Sequence, residues 1–386
     1  MKILTVLTYY RPHTSGLTIY AERLSKAFAR SGHQVTVLTS QFDTTLPVEE
    51  ISEGVRIVRV PVLFRVSKGV IMPTFGYLAN KLVREHDVIH LHLPQFDAAG
   101  VALRGRLLHK PTVITYHCDL RMPPGILSQT AMAGVHFMNH LAAQFTHGIV
   151  TYTRDYGENS PFLKRYLKKL HVIPPPVDVA DVDQGSIQAF GLKFNPENRH
   201  PVIGMAVARF ASEKGVEVLI GALPQIFAKY PHALVLFTGI YQKVIGEEVY
   251  WKKLEPIVQH YQETGNWKFV GLLDPIQMSA FYSNLDMLVL PSLNATESFG
   301  LVQIEAMIHG VPSIASDLPG VRQPVSMHRM GEIIPVGDSS ALARAICEVV
   351  EHPDKYKIDA KTIRSAYLPD TIAKLYEHLF QELRSA

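Results

Sequence analysis

Two short segments carry residues whose types and spacing suit the handling of a phosphate leaving group. In residues 204–215, GMAVARFASEKG, Arg209 and Lys214 stand five apart across a turn that opens a helix. Two cations beside a helix N-terminus can neutralise a departing diphosphate without a metal. Lys214 is expected on an open loop. In residues 291–320, PSLNATESFGLVQIEAMIHGVPSIASDLPG, Glu297 and Glu305 stand eight apart. A helix is expected from about Phe299, just after Ser298, with Gly310 ending it. The unpaired N–H groups of its first turn, around Phe299, Gly300 and Leu301, make an anion-binding end. Gly300 lets a ligand approach the backbone, and Glu305, further in, can reach past the helix end toward a ribose. The plain alternative is structural: solvated cations on one loop, and a capped helix with two solvated carboxylates on the other. His117 is a third candidate, directly after a strand at 112–116, where a lone His is commonly structural. Cys118 beside it suggests a Cys/His nucleophile, but adjacent residues on a strand point to opposite faces.

These segments need a scaffold, and the chain reads as two. Residues 2–8 (KILTVLT) form a buried strand, and 9–17 a turn containing Ser15 and Gly16. Residues 18–30 place Tyr20, Leu24, Ala27 and Phe28 at helical spacing, Gly32 stops the helix, and 34–39 return as a strand. Further strands are expected at 55–60, 88–91 and 112–116. Pro174, Pro175 and Pro176 cannot continue a helix or a central strand, so the linker falls at 174–178. A second series follows, with strands at 202–208, 233–238, near 270, 287–290 and 313–316, and helices at 216–227, 275–283 and 301–309. An amphipathic helix at 370–383 ends the chain. Strands alternating with helices predict parallel, doubly wound sheets with ligands at the carboxyl ends of the strands. The expected domains are 1–177, 178–365 and a terminal segment 366–386 that packs back on the first domain.

Composition limits the alternatives. At 386 residues, with 47% hydrophobic and 19% charged residues, the chain is globular and too long for one core. No apolar run reaches the ~18–20 residues of a membrane span; the longest, at 130–145, is broken by His136, Asn139 and His140. The N-terminus lacks a signal-peptide cleavage pattern and reads as a retained strand. Cys118 and Cys347 make neither a disulfide framework nor a zinc site, which suits the cytoplasm. The 18 His residues form no metal motif, so no metal is expected. No GxGxxG or P-loop pattern occurs, against a dinucleotide cofactor. Residues 1–177 hold 20 Lys or Arg against 11 Asp or Glu, an excess of +9, whereas the remainder carries −6. The basic half suggests an anionic surface.

The PS…ESFGL…EA…G-P…PG pattern at 291–320 resembles glycosyltransferase family four of the GT-B fold. The segment around Arg209 and Lys214 is similar to that family's G-R-x-x-x-x-K-G segment, with Ala208 where Gly is usual. TSGLTIYAERLSKAFARSGHQVTVLT, with Ser15-Gly16 where Gly-Gly is frequent, looks like its Gly-rich loop, helix and second strand. DVIHLHLP (87–94) and VITYHCD (113–119) are also family-like. The resemblance implies an α/β fold of two Rossmann-like domains facing each other across a cleft. It implies a retaining transferase that moves a sugar from a UDP- or GDP-linked donor to an acceptor hydroxyl, with no cofactor. By the same resemblance Glu297 and His117 face the donor sugar, Glu305 bonds the ribose, and Gly16 keeps the backbone close to the diphosphate. Glu297 is not read as a covalent nucleophile, because a retaining glycosidase needs two flanking carboxylates and one is placed here.

The acceptor is less specified. Residues 62–86, 101–110 and 121–147 mix apolar residues with Arg65, Lys68, Arg104, Arg106, Lys110 and Arg121, and 162–170 (FLKRYLKKL) is a basic amphipathic turn set. These fit peripheral docking at an anionic inner membrane face and a lipid-linked or cell-envelope glycan acceptor; ordinary solvated helices are the alternative. Two other readings are a nucleotide-sugar epimerase of the same fold and a non-catalytic binder of anionic polymers. No nucleic-acid motif supports the latter, and nucleic acid is not an expected partner.

Overall fold

A computed structural model describes residues 1–66, 69–120, 125–244 and 246–385. Lys68 and Arg121, named above, lie outside the described residues. The chain divides into two compact units: unit 1 is Met1–Pro176 with Tyr367–Ala386, and unit 2 is Val177–Ala366.

Unit 1 contains strands β1 (Lys2–Val6), β2 (Gln34–Gln41), β3 (Glu49–Ser52) and β4 (Val55–Pro61), the ribbon strands β5 (Phe64–Val66) and β6 (Gly69–Ile71), then β7 (Val88–Leu93), β8 (Thr112–Tyr116), β9 (Gly148–Thr151) and β10 (Leu170–Val172). Its helices are α1 (Gly16–Arg30), α2 (Phe75–Glu85), α3 (Ala98–Leu107), α4 (Ile126–Phe145) and α5 (Arg154–Asn159). The main sheet runs β10-β9-β8-β7-β1-β2-β4-β3, parallel except for the β3–β4 pair. All six residues of β7, VIHLHL, are buried, as a strand covered on both faces requires. Alternation sorts them: Ile89, Leu91 and Leu93 join the core under α2 and α3. His90 faces the other way, against Tyr376 and Phe380. Ser15 caps α1 by accepting from the Thr18 N–H, and Tyr20, Leu24, Ala27 and Phe28 form its buried stripe.

Unit 2 continues with α6 (Gln184–Phe194), β11 (Val202–Arg209), α7 (Val216–Lys229), β12 (Leu234–Ile240), α8 (Glu248–Glu263), β13 (Trp267–Gly271), α9 (Pro275–Ser283), β14 (Met287–Leu290), α10 (Leu301–Ile308), β15 (Ser313–Ser316), α11 (Gln323–His328), β16 (Gly331–Ile334), α12 (Ser339–Glu351) and α13 (Ala360–Tyr367). The sheet runs β13-β12-β11-β14-β15-β16, parallel throughout. The period of two is visible in the cores. Ile203, Met205 and Val207 pack with α7, α8 and α12 on one face. Val202 and Ala206 pack with α6, α9 and α10 on the other. The chain ends in α14 (Pro369–Ser385), which lies in unit 1 on α1, where the Tyr376 hydroxyl is 2.6 Å from that of Tyr20.

The stretch 162–170 is a basic amphipathic turn set, with Lys164, Arg165 and Lys168 exposed. It forms two 3-10 turns, Leu163–Arg165 and Leu167–Lys169, with Phe162 and Leu163 in the core. Lys169 donates to the carbonyls of Ala143, Gln144 and Thr146, where its charge complements the C-terminal end of α4.

Candidate functional site

Strand order in unit 2 reverses between β11 and β14, so the loops leaving these two neighbours flank the switch point where doubly wound sheets take ligands. Arg209 ends β11 and Lys214 stands in the loop after it, and the loop after β14 leads through Glu297 to Gly300. The backbone stitches them together: the Leu293 N–H donates to the Glu213 carbonyl at 3.0 Å. Gly215 has φ +68, and a Cβ there would collide with the Pro291 carbonyl oxygen. Only glycine satisfies both conditions cheaply. Phe210 anchors the first loop from beneath, fully buried against Phe237 and Trp251, with its N–H donating to the Ile240 carbonyl.

The two cations are paired. Lys214 Nζ donates to Glu297 Oε2 at 2.8 Å, and Arg209 Nη2 to Glu213 Oε1 at 2.7 Å. The Lys214 side chain is 19% exposed, so it is not on an open loop as expected. The reason is β11 standing beside β14, which brings Glu297 onto it. Burial alone would depress the Lys214 pKa, but Glu297 outweighs it and the net shift is upward. Burial would likewise raise the Glu213 pKa, yet the bond from Arg209 leaves it lowered. Lys214 therefore stays charged, and each cation is held by a carboxylate.

Helix α10 begins at Leu301, as the expected helix at 301–309 has it, with Gly300 at φ +79 as its N-cap. A Cβ on Gly300 would strike Leu290 and Gln303. The Gly300 N–H donates to Glu297 Oε1 at 3.0 Å, so this donor is already engaged by a carboxylate. Glu297 thus bridges the helix end and Lys214. Ser298 and Phe299 are buried just before that end. Gln303, fully buried, fixes the turn by donating to the Phe299 and Val321 carbonyls, both at 2.9 Å. One turn along α10, Glu305 accepts from the Tyr282 hydroxyl at 2.8 Å.

Ser15, Gly16 and His117 belong to unit 1. Ser15 and Gly16 open α1 after β1, beside the β1–β7 switch point, and a Cβ on Gly16 would meet nothing within 4 Å. His117 follows β8 but is 5% exposed. Its Nε2 lies 2.9 Å from His92 Nδ1, its Nδ1 contacts the Tyr152 hydroxyl, and Tyr20 packs edge-on against it. Burial pulls the His117 pKa down to about 3, with His90 adding to the effect, so the ring is a neutral imidazole near pH 7. Sequence reasoning missed Glu213, Tyr282, Gln303, His92 and Tyr152. Of these, Glu213 alone had a local signal, standing four residues after Arg209.

A cavity of about 520 Å³, lined by Leu192, Asn195, His200, Asn284 and Asp286 among others, opens at the opposite end of the unit 2 sheet. Its polar groups serve the fold: Asp286 accepts from the Val202 N–H, and Asn284 donates to the Ile187 and Ala280 carbonyls. The chemistry-bearing residues are at the carboxyl ends of the strands. Among the described residues, no group of three His, Cys, Asp or Glu is arranged to hold a metal ion.

Two family models match the chain: "Glycosyltransferase Family 4" over residues 14–181 and "Glycosyl transferases group 1" over 192–367. The chain is 25% identical to a glycogen synthase of Mycobacterium tuberculosis, over 96% of this chain and 91% of that protein. It is 24% identical to a phosphatidyl-myo-inositol mannosyltransferase of Mycolicibacterium smegmatis, over 91% and 85%. Among solved structures, Alr3699/HepE of Anabaena in complex with UDP superposes with a TM-score of 0.75 at 20% identity, over 99% of this chain and 100% of that one. The two parallel Rossmann-like sheets are those of the GT-B fold. The chain belongs to glycosyltransferase family 4, the retaining hexosyltransferases that use nucleotide-sugar donors.

Proposed function

We propose that this chain transfers a hexose from a UDP- or GDP-linked donor to a hydroxyl of a lipid-linked or cell-envelope glycan. The observation that carries the donor half is the stitched pair of loops at the unit 2 switch point, with Arg209, Lys214 and the start of α10 gathered at one place. The C–O bond from the sugar to the diphosphate breaks, and the acceptor oxygen bonds the same carbon on the same face. Arg209, Lys214 and the positive end of α10 stabilise the charge on the departing diphosphate, whose oxygen takes the acceptor proton. Glu305 bonds the ribose. Gly16, with open space over its Cα and Ser15 capping the helix behind it, lets the α1 N-terminus approach the diphosphate. Glu297 and neutral His117 bear on the donor sugar. Cationic side chains replace a divalent ion.

The acceptor half draws support from unit 1. Tyr77 and Leu107 are exposed at 75% and 68%, Phe64 on β5 and Leu63 just before it are exposed, and Lys81, Arg84, Arg104, Arg106 and Lys110 share those elements or their ends. Apolar residues among cations suit an anionic headgroup layer. Among the described residues no helix is long and apolar enough to cross a membrane. Vesicle co-sedimentation tests this half: binding should require anionic lipid and weaken as salt rises, because screening acts over ~8 Å at physiological ionic strength. Equal binding to neutral vesicles would contradict it. A melting-temperature screen of UDP-, GDP- and ADP-sugars tests the donor half, since a ligand of the folded state must raise stability. A response to none of them would contradict the reading.

A further inference from the structure

The Glu305 carboxylate is held from a neighbouring helix. Tyr282 on α9 is 1% exposed, and its hydroxyl donates to Glu305 Oε2 at 2.8 Å. The Tyr282 ring stacks on His309, with centroids 5.5 Å apart and planes 27° apart. His309 Nδ1 lies 2.8 Å from the backbone carbonyl of Glu305. A carbonyl only accepts, so that nitrogen carries the proton and the tautomer is set. Side chain and backbone of Glu305 are thus bonded by two rings that stack on each other.

The mount is rigid. Asp274 and Gln277 form a capping box at the start of α9, with Pro275 in its first turn. The Ser279 hydroxyl donates to the Ala180 carbonyl, and the Asn284 amide to the Ile187 and Ala280 carbonyls. A carboxylate with one oxygen pinned loses rotation about its last bond, so the direction of its other oxygen is fixed as well. Such preorganisation is what a site needs to discriminate by hydrogen bonding.

We propose that Tyr282 is a positioning residue that aims the Glu305 carboxylate at the ribose diol and so makes donor recognition depend on the ribose hydroxyls. This rests on the reading of Glu305 as the ribose ligand. Tyr282 itself touches no reacting atom. It makes ribonucleotides, rather than deoxyribonucleotides, the accepted class.

Calorimetric titration of the full chain with UDP, 2′-deoxy-UDP and 3′-deoxy-UDP, and with the guanosine series, tests this. The wild type should prefer the ribonucleotide over at least one deoxy form by about tenfold or more, the worth of one hydrogen bond to a charged group. Tyr282→Phe should bring that preference to within about threefold and raise donor KM while leaving kcat nearly unchanged. If Tyr282→Phe proves unstable, Glu305→Asp, whose shorter side chain withdraws the carboxylate from the hydroxyl, should lose the preference in the same way. Loss of preference in Glu305→Ala with retention in Tyr282→Phe would overturn the positioning role alone. Retention in Glu305→Ala would overturn both this role and the ribose reading of Glu305.

Discussion

Lys214 Nζ and Glu297 Oε2 lie 2.8 Å apart although 83 residues separate them in sequence. The same carboxylate accepts the Gly300 N–H through its other oxygen. A lysine ammonium and a helix-terminal N–H are the groups that receive a phosphate in nucleotide sites. In this chain one carboxylate engages both.

Removing that negative charge should help the diphosphate and harm the reaction. Glu297→Gln should bind UDP or GDP at least about fivefold more tightly, since a like charge about 4 Å away is worth about 1 kcal/mol even in bulk water and more at lower dielectric. Its kcat should fall, because the group bearing on the sugar has lost its charge. Calorimetry and steady-state rates check the pair. Weaker nucleotide binding would show that Glu297 aims Lys214 at the phosphate instead of competing with it.

The two glycines at the loop junction should differ in cost. Gly215→Ala incurs the left-handed backbone penalty of ~1–2 kcal/mol and a collision with the Pro291 backbone. A drop in melting temperature of roughly 2–8 °C from the backbone penalty alone is expected at 2–4 °C per kcal/mol, and more with the collision. Gly300→Ala meets the side chains of Leu290 and Gln303, which yield more readily, so its drop should be smaller. The reverse order would mean that the Gly215–Pro291 contact does not hold the loops.

Unit 1 should be acid-sensitive. Burial brings His90 and His117 to about 3 and holds His92 well below its usual value, against about 6.5 in the unfolded chain. Between those limits the unfolded state binds protons that the folded state refuses. Stability therefore falls as pH drops from about 6.5 toward 3, by up to about 1.4 kcal/mol per pH unit for each His. Melting temperature against pH checks this, and His90→Gln should flatten the slope. His90 is the better probe because, unlike His117, it has no proposed role toward the donor. A flat profile from pH 7 to 5 in the wild type would contradict the buried neutral triad.

Turnover should survive EDTA, because Arg209 and Lys214 meet the developing charge. Complete loss in chelator, restored by Mg²⁺ or Mn²⁺, would overturn that assignment.

The positions of the proposed donor residues in the fold were legible where the signal was local. Arg209 with Lys214, and Glu297 through Glu305, each sit in one loop–helix segment directly after a strand, and the strand–helix alternation located both. Their pairing was not legible. Lys214 meets Glu297 only because β14 inserts beside β11, a sheet order no local pattern encodes. The same holds for Tyr282, which reads as one more aromatic of a short helix until α9 is seen beside α10. In FLKRYLKKL the mixture of apolar and basic residues announced an amphipathic turn set, but not that Lys169 turns onto the end of α4. The residues DVIHLHLP announced a strand, but the burial of both His side chains depends on α1 and α14 covering that face.

The most direct test of the diphosphate site is the turnover of Lys214→Ala with whichever nucleotide sugar the wild type accepts. An interaction strongest as charge develops lowers kcat rather than only raising KM. The expected loss is about 10² to 10³ in kcat, some 3–4 kcal/mol of transition-state stabilisation. Melting temperature must be followed in parallel, because the substitution also leaves Glu297 without its cation. Arg209→Ala should behave alike, and the double variant should fall short of additivity, since both residues act on one charge. Near-wild-type kcat in Lys214→Ala, with the fold intact, would place the diphosphate elsewhere and contradict the site.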